Sequence, residues 1–170
     1  ADLRGSNLVD SDFRAADLKF ADLGLANLEK ANLHVAILTG AYLVRAIANE
    51  VCAIGADLSR ANLSEANFSQ ADLSEAMAAG MDAIGTNFRE ASLDECNLSR
   101  ANLVGANFFG ARLLGADLVG ADLMGANLSK AVLVGADFSR SNLFGATLTG
   151  AILQDTKLVG AILPDGSLQP

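Results

Sequence analysis

The chain has 170 residues, 51% of them hydrophobic, with a net charge of −8 at pH 7. That apolar content excludes a disordered chain, and the acidic balance disfavours direct binding to nucleic acid, which requires a basic surface. No apolar run approaches ~18 residues, so no transmembrane helix and no membrane insertion are expected. Trp is absent, Tyr42 is the single tyrosine, and Pro164 and Pro170 are the only prolines.

A period of five runs from Ala1 to the end without insertion or loss, which predicts a single domain over 1–170. Of 34 successive five-residue repeats, 30 have Leu or Phe at the third position, 25 have Ala at the first and 21 have Asp or Asn at the second. Five fits neither an α-helix nor a plain strand. The first and third residues lie on the same side of extended backbone. The chain then turns before the next Ala, and turns of one sense build a coil with a narrow Ala/Leu interior.

Two columns set the number of repeats per coil. Phe68, Phe88 and Phe108 recur at steps of twenty, as a core aromatic stack would. Asn7, Asn27, Asn67, Asn87, Asn107 and Asn127 fall on one face of a twenty-residue coil, interrupted by Ile47. Stacked Asn side chains form amide ladders. Both columns predict four repeats per coil, a square cross-section and about 8.5 coils. At ~4.8 Å per coil the rod is roughly 40 Å long.

These repeats resemble the pentapeptide-repeat family, whose consensus is A(D/N)LXX. Clear copies are Ala61-Asn62-Leu63-Ser64-Glu65, Ala101-Asn102-Leu103-Val104-Gly105 and Ala116-Asp117-Leu118-Val119-Gly120. The resemblance covers the whole chain and implies an all-β fold, a right-handed quadrilateral parallel β-helix. The regular form resembles cyanobacterial members, found in cytoplasm, periplasm or thylakoid lumen.

Along the chain the pattern changes in four places. Ala48, Ala53, Ala78 and Ala83 replace the central Leu/Phe within 46–55 and 76–85. Either the core repacks locally, with Val51 and Met81 restoring volume, or a bulge or loop presents a partner site. From Gly105 to Gly160 the fifth position is Gly in nine of twelve repeats, which favours type II-like turns. Earlier repeats carry Arg60, Glu65, Gln70, Glu75, Glu90 and Glu95 there, which predicts other turn types. Leu163-Pro164-Asp165-Gly166-Ser167 is a turn signal that would close the last coil. No terminal capping helix is evident, so a partner copy, another segment or another protein is expected to cover an end.

No catalytic or metal-binding constellation stands out, and no cofactor is expected. Asp117, Asp122 and Asp137 recur with the repeat, spread over different faces, and read as acceptors for turn backbone. His34 lies at an outward position without a second donor for a metal ion. Cys52 and Cys96 fall on different faces about two coils apart, beyond disulfide reach, and are expected as free thiols. An enzyme is therefore not expected.

The outward fourth position carries a different signal. Ile84, Val104, Met124 and Phe144 follow at steps of twenty, each succeeded by glycine. This is a candidate partner-binding stripe, against the alternative of simple drift to apolar residues, as at Leu114, Val119 and Val134. The expected function is a non-enzymatic scaffold for protein–protein interaction, its biochemical role unassigned. The partner is another protein, or a second copy joined through an uncapped end or the stripe. The resemblance implies an alternative, a DNA-mimicking inhibitor and protector of DNA gyrase. The acidic charge fits it, but Arg60, Arg100 and Arg140 aligned on one face fit less well.

Overall fold

The computed structural model describes residues 1–170. Each second-position residue bridges in parallel to the residue twenty further on, from Asp2–Asp22 to Asn142–Ile162 without a gap. The bridges form four ladders, so one coil contains four repeats and has four faces. Here face 1 comprises the repeats in register with Ala1, and faces 2, 3 and 4 those in register with Ser6, Ser11 and Ala16. The ladders consist of single-residue bridges rather than strands, because the backbone turns after every third residue.

The hydrogen bonds of one repeat explain its composition. The third- and fifth-position N–H groups donate to the next coil, as Leu63 does to Asp82 O at 2.6 Å and Glu65 to Ile84 O at 2.9 Å. The second-position N–H donates to the preceding coil, Asn62 to Ala41 O at 2.8 Å. The first-position N–H closes the turn, Ala66 to Leu63 O at 2.9 Å. Only the fourth N–H lacks a backbone acceptor, and the second-position side chain supplies one: Ser64 N donates to Asn62 Oδ1 at 2.9 Å. Asp and Asn suit that position because each presents an acceptor oxygen at the right reach. Asp117, Asp122 and Asp137 accept in this way from the N–H groups of Val119, Met124 and Ser139.

Every fifth-position residue from Gly5 to Gly160 has positive φ, glycine or not. Glu65 has φ +59° and Arg100 +58°, beside +65° at Gly105. Positive φ at the second central residue is the type II signature. The expectation of other turn types in the non-glycine repeats is therefore corrected. The fifth N–H must meet a carbonyl of the next coil, and that constraint overrides the side chain's own preference. An L-residue held there costs about 1–2 kcal/mol.

The interior is continuous and apolar. First- and third-position side chains from Leu18 to Ala146 form one cluster, most of them completely buried. Phe68 and Phe88 pack tilted at 5.9 Å between ring centroids, and Phe88 and Phe108 stack at 5.0 Å. At 46–55 and 76–85 the ladder continues, with Ala48 N donating to Asn67 O at 2.7 Å and Ala83 N to Asn102 O at 2.8 Å. There is no bulge or loop. Val51 and Met81 are fully buried beside the small residues and fill the space.

The chain ends in a reversal. Leu163 N donates to Ser167 O at 2.7 Å, Gly160 N to Gln169 O at 2.8 Å, and Ile162 bridges antiparallel to Leu168. Asp165 accepts from Ser167 N at 2.9 Å.

Candidate functional site

Face 1 carries the surface that departs most from a polar repeat. Its fourth positions stack Ile84, Val104, Met124 and Phe144, with Ile84 41%, Met124 42% and Phe144 51% exposed and Val104 half-buried. Leu114, Val119 and Val134, on the other faces, are half-exposed like Val104. Val9 and Val159, at the fourth position on faces 2 and 4, are 37% and 65% exposed. Only face 1, however, stacks four apolar residues at that position on successive coils. A Cβ placed on Gly85, Gly105 or Gly125 would meet nothing within 4 Å, so the corner beside the stripe is open and flat. Over three coil steps the stripe extends about 14 Å, at ~4.8 Å per step.

The backbone under the stripe also departs from the repeat. Asp82 Oδ1 and Asn102 Oδ1 are buried without a hydrogen-bond partner. In neighbouring repeats this oxygen accepts from the fourth N–H, as Asn142 Oδ1 does from Phe144 N at 3.1 Å. Beneath Ile84 and Val104 that bond is not made. Ile84 and Val104, the first two residues of the stripe, therefore sit on turns that their own second-position side chains do not brace.

The sequence pattern did not point to Ile162 and Leu168. They are 38% and 67% exposed, and the terminal reversal pairs them beyond Phe144. Gly166 lies against the Phe144 ring, where a Cβ would stand 3.4 Å from Cδ2 and Cε2. Apolar side chains thus also stand at the end of face 1, with Ile162 in the second-position column above Asn142 rather than in line with Phe144. The only available signal was the reversal at Leu163–Ser167, which says that the chain turns back but not which side chains it brings alongside.

The other singled-out residues lie elsewhere and build no common centre. On face 2, Asn87 Nδ2 donates to Asn67 Oδ1 at 2.9 Å, Asn107 to Asn87 at 3.2 Å and Asn127 to Asn107 at 3.3 Å. Asn7 and Asn27 are in register with this ladder but make no amide–amide bond, which corrects the six-member expectation. Asn7 is exposed on the first coil, where water competes, and Ile47 above Asn27 has no polar group to continue the chain. His34 is exposed, with Nδ1 3.1 Å from Ile54 O. Cys52 is half-buried and Cys96 buried, both free thiols. Burial pushes the Cys96 thiol up to about 12, leaving it protonated and unreactive at neutral pH. No three His, Cys, Asp or Glu side chains stand together in a metal-binding arrangement.

Charge is divided by face. Counted over their repeats, faces 1 and 3 each carry −4, face 2 carries −1 and face 4 carries +1. No helix is long and apolar enough to cross a membrane.

The family profile described as Pentapeptide repeats matches in 8 copies, over residues 1–34, 26–64, 54–89, 86–123 and 121–160. No curated protein matches the chain significantly. Among solved structures, the chain is similar to HetL from the cyanobacterium Nostoc sp. strain PCC 7120, described as a pentapeptide repeat protein involved in heterocyst differentiation regulation. The identity is 40%, the TM-score 0.59, and the match covers 99% of this chain and 78% of HetL. It is also similar to AT2G44920, a pentapeptide repeat protein from the Arabidopsis thaliana thylakoid lumen. There the identity is 37% and the TM-score 0.55, over 58% of this chain and 68% of that one. QnrB1, a plasmid-mediated fluoroquinolone resistance protein, matches at 22% identity and a TM-score of 0.39, over 90% of this chain and 84% of its own. That likeness is too weak to carry an argument about function.

Proposed function

The chain belongs to the pentapeptide-repeat family, and on that premise we propose that it is a non-enzymatic scaffold that binds a protein partner along face 1. The right-handed quadrilateral winding implied by the family goes with this reading. The observation that carries it is the column Ile84, Val104, Met124 and Phe144, three of its four residues exposed. Contiguous exposed apolar surface of this kind marks protein contacts. A rod whose interior is filled from Leu18 to Ala146 holds its outward side chains at a fixed pitch and offers little room for an enclosed reaction site.

The stripe is narrow and nearly flat, so the partner presents an apolar ridge of similar length, about 14 Å at the coil pitch. The DNA-mimic reading would need a continuous acidic surface. Here the acids of face 1 flank an apolar column, and face 4, with the row Arg60, Arg100 and Arg140, carries a net charge of +1. No feature favours it over the scaffold.

The test compares wild type with a Val104→Arg, Phe144→Arg double variant as affinity baits in source-cell extract. Circular dichroism of both confirms the fold. The partner is identified by mass spectrometry, purified and titrated against each bait. The expected result is at least tenfold weaker binding by the variant. Equal binding by both baits would overturn the assignment.

A further inference from the structure

The fifth positions of face 4 alternate bulk and glycine: Phe20, Gly40, Arg60, Gly80, Arg100, Gly120, Arg140, Gly160. Each arginine is exposed and held at positive φ. Its aliphatic stem lies over the next glycine: a Cβ on Gly80 would be 4.0 Å from Arg60 Cγ, and one on Gly120 3.7 Å from Arg100 Cγ. The glycines thus keep open the gaps between successive guanidinium groups. The single hollow of the molecule, about 470 Å³, lies in one of these gaps, lined by Arg60, Gly80, Ser99, Arg100, Asp117 and Val119 among others.

The arginines of this row are free. None has a guanidinium nitrogen within 4.0 Å of a carboxylate oxygen, whereas Arg4, Arg14, Arg45, Arg89 and Arg112 all do. The acids of the same face are engaged elsewhere. Asp57 accepts from Thr39 at 2.7 Å and from Ser59 N at 2.9 Å, and Asp137 pairs with Lys157 at 3.4 Å. Asp117 uses Oδ1 for Val119 N at 2.9 Å, and no contact engages its Oδ2.

We propose that the hollow between Arg60 and Arg100 is a binding site for a phosphate monoester. Two planar guanidinium groups on either side of a gap match the oxygens of a dianionic phosphate, which arginine recognises by paired N–H bonds. The Ser99 hydroxyl and the Asp117 carboxylate at the same hollow suit a hydroxyl-bearing remainder, donating to Asp117. Asp117 opposes one unit of negative charge, but two arginines leave the site net positive in a chain of net charge −8. Fixed cationic sites on an acidic protein select for the local match rather than for any polyanion. This site is independent of the face 1 stripe.

The test is titration calorimetry at low ionic strength with three probes: inorganic phosphate, ribose 5-phosphate and a phosphoserine peptide, with ribose as the blank. Wild type is compared with Arg60→Gln, Arg100→Gln and Arg140→Gln, the last lying outside the hollow. Saturable binding is expected for phosphate-bearing probes, weakened about tenfold or more by Arg60→Gln and Arg100→Gln and unchanged by Arg140→Gln. Preference for ribose 5-phosphate would identify a free metabolite as the source, and preference for the peptide a phosphorylated protein. Absence of saturable binding, or equal loss with Arg140→Gln, would overturn the site.

Discussion

The ring of Phe20 covers Gly40 so closely that a Cβ on residue 40 would stand 2.6 Å from Phe20 Cε1. Gly40 also has φ +64°. Gly40→Ala therefore adds a backbone cost and a collision. It is expected to destabilise the protein by about 2 kcal/mol in urea unfolding. Phe20 is 69% exposed, so Phe20→Ala alone should be nearly neutral. The exposed ring can swing off the new Cβ, so the backbone cost dominates and the two effects should add to within about 0.5 kcal/mol in the double variant.

The opposite substitution tests the uniform turn. Val35 is β-branched, exposed and held at φ +49°. Releasing that conformation is worth about 1–2 kcal/mol, against roughly 0.4–1 kcal/mol of extra unfolded-state freedom for glycine. Val35→Gly should raise the thermal midpoint. A lowered midpoint would show that the turn geometry is not what stacking demands.

The relation between sequence and structure is uneven for a physical reason. Side chains facing inward announce themselves: Phe68, Phe88 and Phe108 must stack if they recur at twenty, and Val51 and Met81 compensate Ala53 and Ala83 by volume. The turns do not announce themselves. Glu65 and Arg100 adopt the same left-handed conformation as Gly105 because hydrogen bonds to the neighbouring coil decide it, and those bonds belong to the backbone. The stripe residues Ile84 to Phe144 were legible as a column, but the pairing of Ile162 with Leu168 depends on a chain reversal with no side-chain periodicity. The Arg60–Arg100 gap was visible only as an alignment. Its openness comes from Gly80 between them.

The amide ladder gives a third prediction. Asn87 both donates to Asn67 and accepts from Asn107. Asn87→Ala removes both bonds and the acceptor that serves Arg89 N at 3.2 Å. At about 0.5–1.5 kcal/mol per bond, a loss of roughly 2–3 kcal/mol is expected in urea unfolding. Asn27→Ala, which breaks no amide–amide bond, should cost markedly less.

Acid sensitivity follows from Asp57. Burial works to raise its pKa, but hydrogen bonds from Ser59 and Thr39 together outweigh it and hold the carboxyl below its ordinary value. A carboxyl depressed in the folded state contributes stability that is present above its unfolded value, about 3.9, and is lost as pH falls through the folded value. Thr39→Val removes one donor to the ionised form. It should lower the urea midpoint at pH 7 more than at pH 3. Equal loss at both pH values would mean that Thr39 acts only through packing.

The central claim is that face 1 is where a partner sits. Site-specific incorporation of a photo-cross-linking residue tests it most directly. Position 104 on the stripe is compared with position 134 on the opposite face, both half-buried valines at the outward fourth position. Irradiation in source-cell extract should give a discrete cross-linked protein from position 104 and none from position 134. No product from position 104, or the same products from both faces, would contradict the account.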